Sequence, residues 1–188
     1  MRRAVCRLQS ISPYSPSRAL SSDLLTKGSG ETWDDVEKRV WRDRAHVTED
    51  GEVFIPPMAF KFALDAASKY LNEKIKGQGQ KTWAKKFTQG VMCVEPVALG
   101  VKKDALEPEW INANADGVRG SSKRVMRCYP MVKKWAASLT VEILDDAIPE
   151  DVFTRTLETA GLFNGVGRFA PRVGGYLGRF KVSKVEWQ

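Results

Sequence analysis

The chain has 188 residues, 43% of them hydrophobic and 28% charged, with a formal charge of +7. That is enough apolar chain to bury one sizeable core, and no stretch approaches the ~20 apolar residues of a membrane span. The basic excess favours a polyanionic partner and says nothing about fold.

In chain order, Ala4–Ser10 reads as a strand, followed by the Ser/Pro-rich loop Ile11–Arg18. The Arg- and Ser-rich start also suits a transit peptide, but the strand pattern is the stronger reading. Thr32 is placed as N-cap of a helix running to about Arg44, with acids in its first turn. His46–Ile55 reads as a hairpin turning at Asp50-Gly51. Pro57 opens a helix to about Ile75, whose Met58, Phe62, Ala66 and Tyr70, with Ala59, Ala63 and Ala67, are expected in the core. Lys81–Phe87 is a short basic helix or turn, Val91–Val97 a strand, and 102–134 an irregular stretch with a small strand near Arg124–Cys128. Trp135–Leu144 is a clear strand, and Pro149 opens a helix ending near Ala160, with Gly161 as its C′ residue. Six glycines crowd the segment 161–178, and the alternating run at 178–187 closes the chain.

Leaving out the irregular pieces, the order is β (4–10), α (57–75), β (91–97), β (135–144), α (149–160), β (178–187). This predicts an α+β fold, a ferredoxin-like or RRM-like βαββαβ core in one domain, with a four-stranded antiparallel sheet backed by two helices. Insertions are expected at about 11–56 and 102–134.

The charges are unevenly placed. Residues 1–22 and 117–134 carry no acid, nor does the chain between Glu158 and Glu186, whereas 31–52 is acid-rich. Arg168, Arg172 and Arg179 interleave with Phe169, Tyr176 and Phe180 among the glycines. Exposed amides, guanidinium groups and flat rings suit a phosphate backbone with unstacked bases. Single-stranded RNA or DNA is therefore the expected partner. Arg18, Arg119, Lys123, Arg124, Arg127, Arg168, Arg172 and Arg179 are the candidate phosphate contacts. Trp110, Phe169 and Tyr176 are the candidate stacking rings. The first strand lacks the aromatics of a standard RRM, which argues against stacking on the open sheet.

Three features together resemble the RAMP superfamily of CRISPR systems. They are a first strand leading into a Ser/Pro loop, the run Phe54-Ile-Pro-Pro-Met-Ala-Phe-Lys61 entering the first core helix, and the glycine segment Gly165–Phe180 before the last strand. The resemblance is closest to backbone subunits that coat guide RNA, although Pro57 and Met58 stand where small residues are usual and the chain is short. It implies an oligomeric RNA-coating protein, or a diverged viral or mobile-element single-strand binder. It also implies a thumb-like role for 102–134.

Some relatives in that superfamily are endoribonucleases using histidine, so His46, the one histidine, is the alternative site. No partner residue stands at a diagnostic spacing around it, and no enzymatic role is expected. A viral assembly or inhibitor protein acting through protein contacts is the third reading. Asp145-Asp146 reads as a turn before a helix and not as a metal pair, and Gly165-Val-Gly-Arg is not a nucleotide-binding loop because it precedes a strand. No metal or cofactor is expected. Cys6, Cys93 and Cys128, far apart and without a CxxC pair, fit reduced thiols of a cytoplasmic protein.

Overall fold

Alternation along the first strand sets the centre of the fold. Ala4, Cys6 and Leu8 are buried, while Arg3, Arg7 and Gln9 are exposed, as a strand with one covered face requires. The computed structural model describes residues 1–114 and 123–188. In chain order the elements are β1 (Arg2–Ser10), α1 (Ser22–Leu25), α2 (Trp33–Val40) continued by a 3-10 turn (Trp41–Arg44), β2 (Glu52–Ile55), α3 (Pro57–Leu71), α4 (Ala84–Gly90), β3 (Val91–Met92), β4 (Val97–Lys102), β5 (Glu107–Asn114), β6 (Arg124–Met131), β7 (Ala136–Ile143), α5 (Glu150–Thr159) continued by a π turn (Ala160–Asn164), and β8 (Phe180–Trp187).

Four of the strands form one antiparallel sheet in the order β3-β7-β1-β8. Helices α3 and α5 pack on its covered face through Phe60, Ala63, Leu64 and Ala67 and through Val152, Phe153 and Leu157. This is the ferredoxin-like arrangement expected from the order of elements. The Phe60–Phe180 and Phe153–Trp187 ring pairs, 5.7 and 5.4 Å between centroids, tie one helix each to β8. Each such buried side chain contributes roughly 1.5–3 kcal/mol.

The extra segments build two small sheets. Strand β2 pairs with β4, and β5 with β6 as a hairpin. The expected 91–97 strand is therefore split: Val91–Met92 joins the main sheet, while the chain from Val97 leaves it to pair with β2. The hairpin at 46–55 forms as expected, with the Gly51 amide on the Thr48 carbonyl at 2.9 Å. Thr32 caps α2 by a reciprocal capping box with Asp35.

Three expectations need correction. Helix α3 stops at Leu71, where Asn72 takes a left-handed conformation, φ 47°. Met58, Phe62 and Tyr70 are 50%, 56% and 65% exposed, so they are surface and not core. Two sets of apolar residues on α3 have helical spacing, and the sheet takes the other one. Finally, α5 does not stop at Gly161 but runs on through the π turn to Gly165, φ 63°. Gly161 is needed for a close approach, because a Cβ there would lie 2.2 Å from the Phe180 carbonyl oxygen. No helix among the described residues is long and apolar enough to cross a membrane.

Candidate functional site

The acid-rich segment buries one of its carboxylates. Glu37, on the inner face of α2, is 3% exposed. Its two oxygens accept from Arg44 Nη2 at 3.0 and 3.1 Å, from Arg127 Nη1 at 2.5 Å and from the Cys128 amide at 3.2 Å. Helix α2, its 3-10 extension and β6 are thereby tied together. Four of the other seven acids of 31–52 also have internal partners: Glu31 with Arg39, Asp35 with Thr32, Asp43 with Lys103 and Glu52 with the Gly100 amide. The expected acidic surface is for that reason much reduced.

Above this carboxylate lies a cleft of about 220 Å³ walled by Arg18, Arg44, Arg127, Arg168 and Tyr129, with Leu20 and Leu25 at its edge. Arg18 comes from the Ser/Pro loop, Arg44 from the 3-10 turn, Arg127 and Tyr129 from β6, and Arg168 from the glycine segment. The Tyr129 ring organises them. The guanidinium carbon of Arg168 lies 4.7 Å from its centroid and that of Arg44 5.6 Å, while Phe169 meets it edge-on at 5.3 Å. Arg18 is fastened to the 3-10 turn by its amide on the Arg44 carbonyl, 3.0 Å, and by Nη1 on the Asp43 carbonyl, 3.2 Å.

Four guanidinium groups thus line the cleft, and two of them, those of Arg44 and Arg127, hold the Glu37 carboxylate. Burial, and then the neighbouring Arg44 charge, push Arg168 below the usual guanidinium range. Arg44 is 7% exposed, yet its Nη1 has no hydrogen-bond partner among the described residues, and neither has the buried Nε of Arg168. Buried polar atoms are ordinarily paired. Unpaired donors and surplus positive charge in one cleft are what an anionic oxygen ligand would satisfy.

Of the residues singled out in the sequence, Arg18, Arg127 and Arg168 meet in this cleft. Arg119 lies outside the described residues. Lys123 and Arg124 are exposed at the start of β6, and Trp110, 39% exposed, sits opposite Cys128 on β5. Arg172 and Tyr176 are exposed on the glycine segment without lining the cleft, and Arg179 turns its Nε onto the Leu162 carbonyl at 3.2 Å. Phe169 is half-buried against Tyr129, in a left-handed conformation with φ 53°, so its ring supports the cleft from behind.

The glycine segment is not the amide cradle its composition suggested. Most of its amides are paired within the chain, among them Val166 on Gly178, Arg168 on Ser15, Leu177 on Phe169 and Gly178 on Pro13. The segment is instead a folded-back support that aims Arg168. Arg44, Glu37 and Tyr129 were missed in the sequence. The one available signal was Arg44 seven residues after Glu37, two turns along one helical face.

The open face of the main sheet adds exposed Arg3, Arg7, Lys181 and Lys184, with no aromatic ring on β1. A larger cleft, about 880 Å³, sets Lys81, Lys85 and Lys86 against Asp145 and Asp146. Lys86 pairs with Asp145 at 2.6 Å and holds that carboxyl below its usual range, and Asp146 receives the chain's amino terminus at 3.2 Å. Both carboxylates there have cationic partners, whereas among the described residues no carboxylate lines the arginine cleft. His46 packs on Phe54, 5.7 Å between centroids, and is held below its ordinary value by burial and then by Arg18. Among the described residues no group of three His, Cys, Asp or Glu is placed to hold a metal. The three cysteines are buried free thiols, and burial pushes Cys6 and Cys93 up to about 12 and Cys128 to about 11.

No protein-family model and no curated protein matches the sequence. Among solved structures, a chain from the cryo-EM structure of the Type III-B Cmr-beta bound to cognate target RNA is similar, with a TM-score of 0.49 and 16% identity. The match covers 99% of this chain and 61% of that one, so this chain spans less than two thirds of its length. A likeness at that level carries no argument about what this chain binds.

Proposed function

We propose that this protein binds single-stranded nucleic acid without cleaving it, with backbone phosphates in the arginine cleft and neighbouring copies side by side along the strand. The observation that carries the reading is the cleft itself. Four arginines from four separate parts of the chain line it, two of them, Arg44 and Arg127, bound to Glu37, and Arg44 keeps a buried, unpartnered Nη1. Extended binding, as opposed to capture of one small anion, is supported by exposed Lys123 and Arg124 on the hairpin and by Arg7 and Lys181 on the open sheet face, where Arg3 and Lys184 are paired with Glu142 and Glu186. These would neutralise further phosphates and release their counterions. Contact between copies is supported by the exposed Met58, Phe62 and Tyr70 stripe of α3, continued by Phe163, which stacks on Tyr70 at 5.5 Å. Cleavage has little support, because His46 does not line the cleft.

The test is fluorescence anisotropy with labelled single strands of about 30 nucleotides, DNA and RNA, and with duplex, over a range of salt. The expected result is tight, salt-dependent binding to a single strand, which stays intact on gels, and weaker binding to duplex. Absence of binding to any strand would overturn the reading in favour of a protein partner for the basic surface.

A further inference from the structure

A second cleft, about 420 Å³ and more apolar, adjoins the arginine cleft. Its walls are Leu25, Trp33 and Asp34 on one side and Val125, Met126 and Arg127 of β6 on the other, with Glu37 beneath. Leu25 and Arg127 line both clefts, so the two adjoin at these side chains. Trp33, Met126 and Val125 are 62%, 45% and 38% exposed, three large apolar side chains gathered where a folded chain would ordinarily cover them. The indole has a partner, and its backbone is anchored. The Lys27 ammonium sits 5.4 Å from its centroid, and the capping box at Thr32 fixes the helix turn that carries it. A flat, exposed ring at the edge of a cationic cleft is the arrangement that base stacking uses.

We infer that Trp33, with Val125 and Met126, forms a subsite for one unpaired base whose flanking phosphate occupies the arginine cleft. The inference rests on the single-strand reading above and adds to it the residue that holds a base. Charge at the junction favours a nucleotide over a peptide. The Glu37 carboxylate in the floor is already engaged by Arg44, Arg127 and the Cys128 amide, which leaves Asp34 as the free carboxylate among the lining residues. Arg127 at the shared wall lies beside the three further arginines of the adjoining cleft. An anion attached to a flat apolar ring satisfies both halves at once, whereas an apolar peptide side chain would use only one.

The test compares two labelled strands of equal length, one with its bases and one fully abasic, against the full chain and its Trp33→Ala and Trp33→Phe variants. Trp33→Ala is expected to weaken binding of the base-bearing strand roughly tenfold, to leave the abasic strand's affinity unchanged, and to be largely rescued by Trp33→Phe. Thermal melts should be unchanged, since the side chain is mostly exposed. Equal loss on both strands, or no loss on either, would overturn the inference; the latter is also what a peptide occupant would give. If the unsubstituted protein bound neither strand, the single-strand reading itself would fail and take the subsite with it.

Discussion

Glu37 decides the electrostatics of the site. Removing one partner of a buried ion pair leaves an uncompensated charge and costs about 3–5 kcal/mol. With Arg44 buried beside it, Glu37→Gln is expected to lower stability by about that much in urea unfolding. The same change removes the carboxylate that Arg44 and Arg127 share, so anion affinity at low salt should hold or rise while stability falls. Loss of both together would mean that the cleft does not survive the change. His46 reports on the same neighbourhood through Arg18. Its folded value lies below the ordinary 6.5, so as pH falls through that value the unfolded chain takes up a proton that the folded chain refuses. Stability should therefore decline as pH falls below about 6.5, and His46→Gln should flatten that decline. An unchanged profile would show that the imidazole is not buried as described.

At the scale of elements, the glycine segment is a support whose job is to aim Arg168. Gly178 shows how tightly it folds: with φ 68°, a Cβ there would lie 1.7 Å from the Val166 carbonyl oxygen. Gly178→Ala is expected to cost roughly 1–3 kcal/mol of stability and to weaken strand binding although residue 178 touches no ligand. Full retention of both would show that Arg168 is placed by other contacts. Composition pointed to this segment, but for the wrong reason. Glycines and arginines together suggest an exposed amide cradle, and only the backbone pairing reveals that most of the amides are already taken. The βαββαβ order was legible because Ala4, Cys6 and Leu8 alternate cleanly and because Thr32, Pro57 and Pro149 mark helix starts. The buried face of α3 was not legible, since Met58, Phe62 and Tyr70 have the same helical spacing as Phe60, Leu64 and Ala67. Arg18, Arg127 and Arg168 could be singled out because they stand in acid-free stretches. Arg44 could not, because it closes an acid-rich helix and its role comes from a partner seven residues back and a strand more than eighty residues ahead.

For the molecule as a whole, the ferredoxin-like core is a frame on which the two insertions and the glycine segment are brought to one place. Positions 18, 44, 127 and 168 meet in one cleft, and Trp33 lies in the apolar cleft beside it. No single segment contains the site, which is why charge in the sequence suggested a partner without giving its location. Under the proposed reading, the exposed stripe on α3 and the open sheet face would be the surfaces for neighbouring copies and for further phosphates.

The most direct test of the account is the salt dependence of single-strand binding by the unsubstituted chain, by Arg18→Ala/Arg168→Ala and by Arg172→Ala. If phosphates sit in the arginine cleft, the double variant should lose at least about tenfold in affinity, and its log–log salt slope should become shallower by about 1.4, two contacts at ~0.7 each. Arg172→Ala, on the same segment but outside the cleft, should change both much less. A double variant that binds with unchanged affinity and slope would contradict the account.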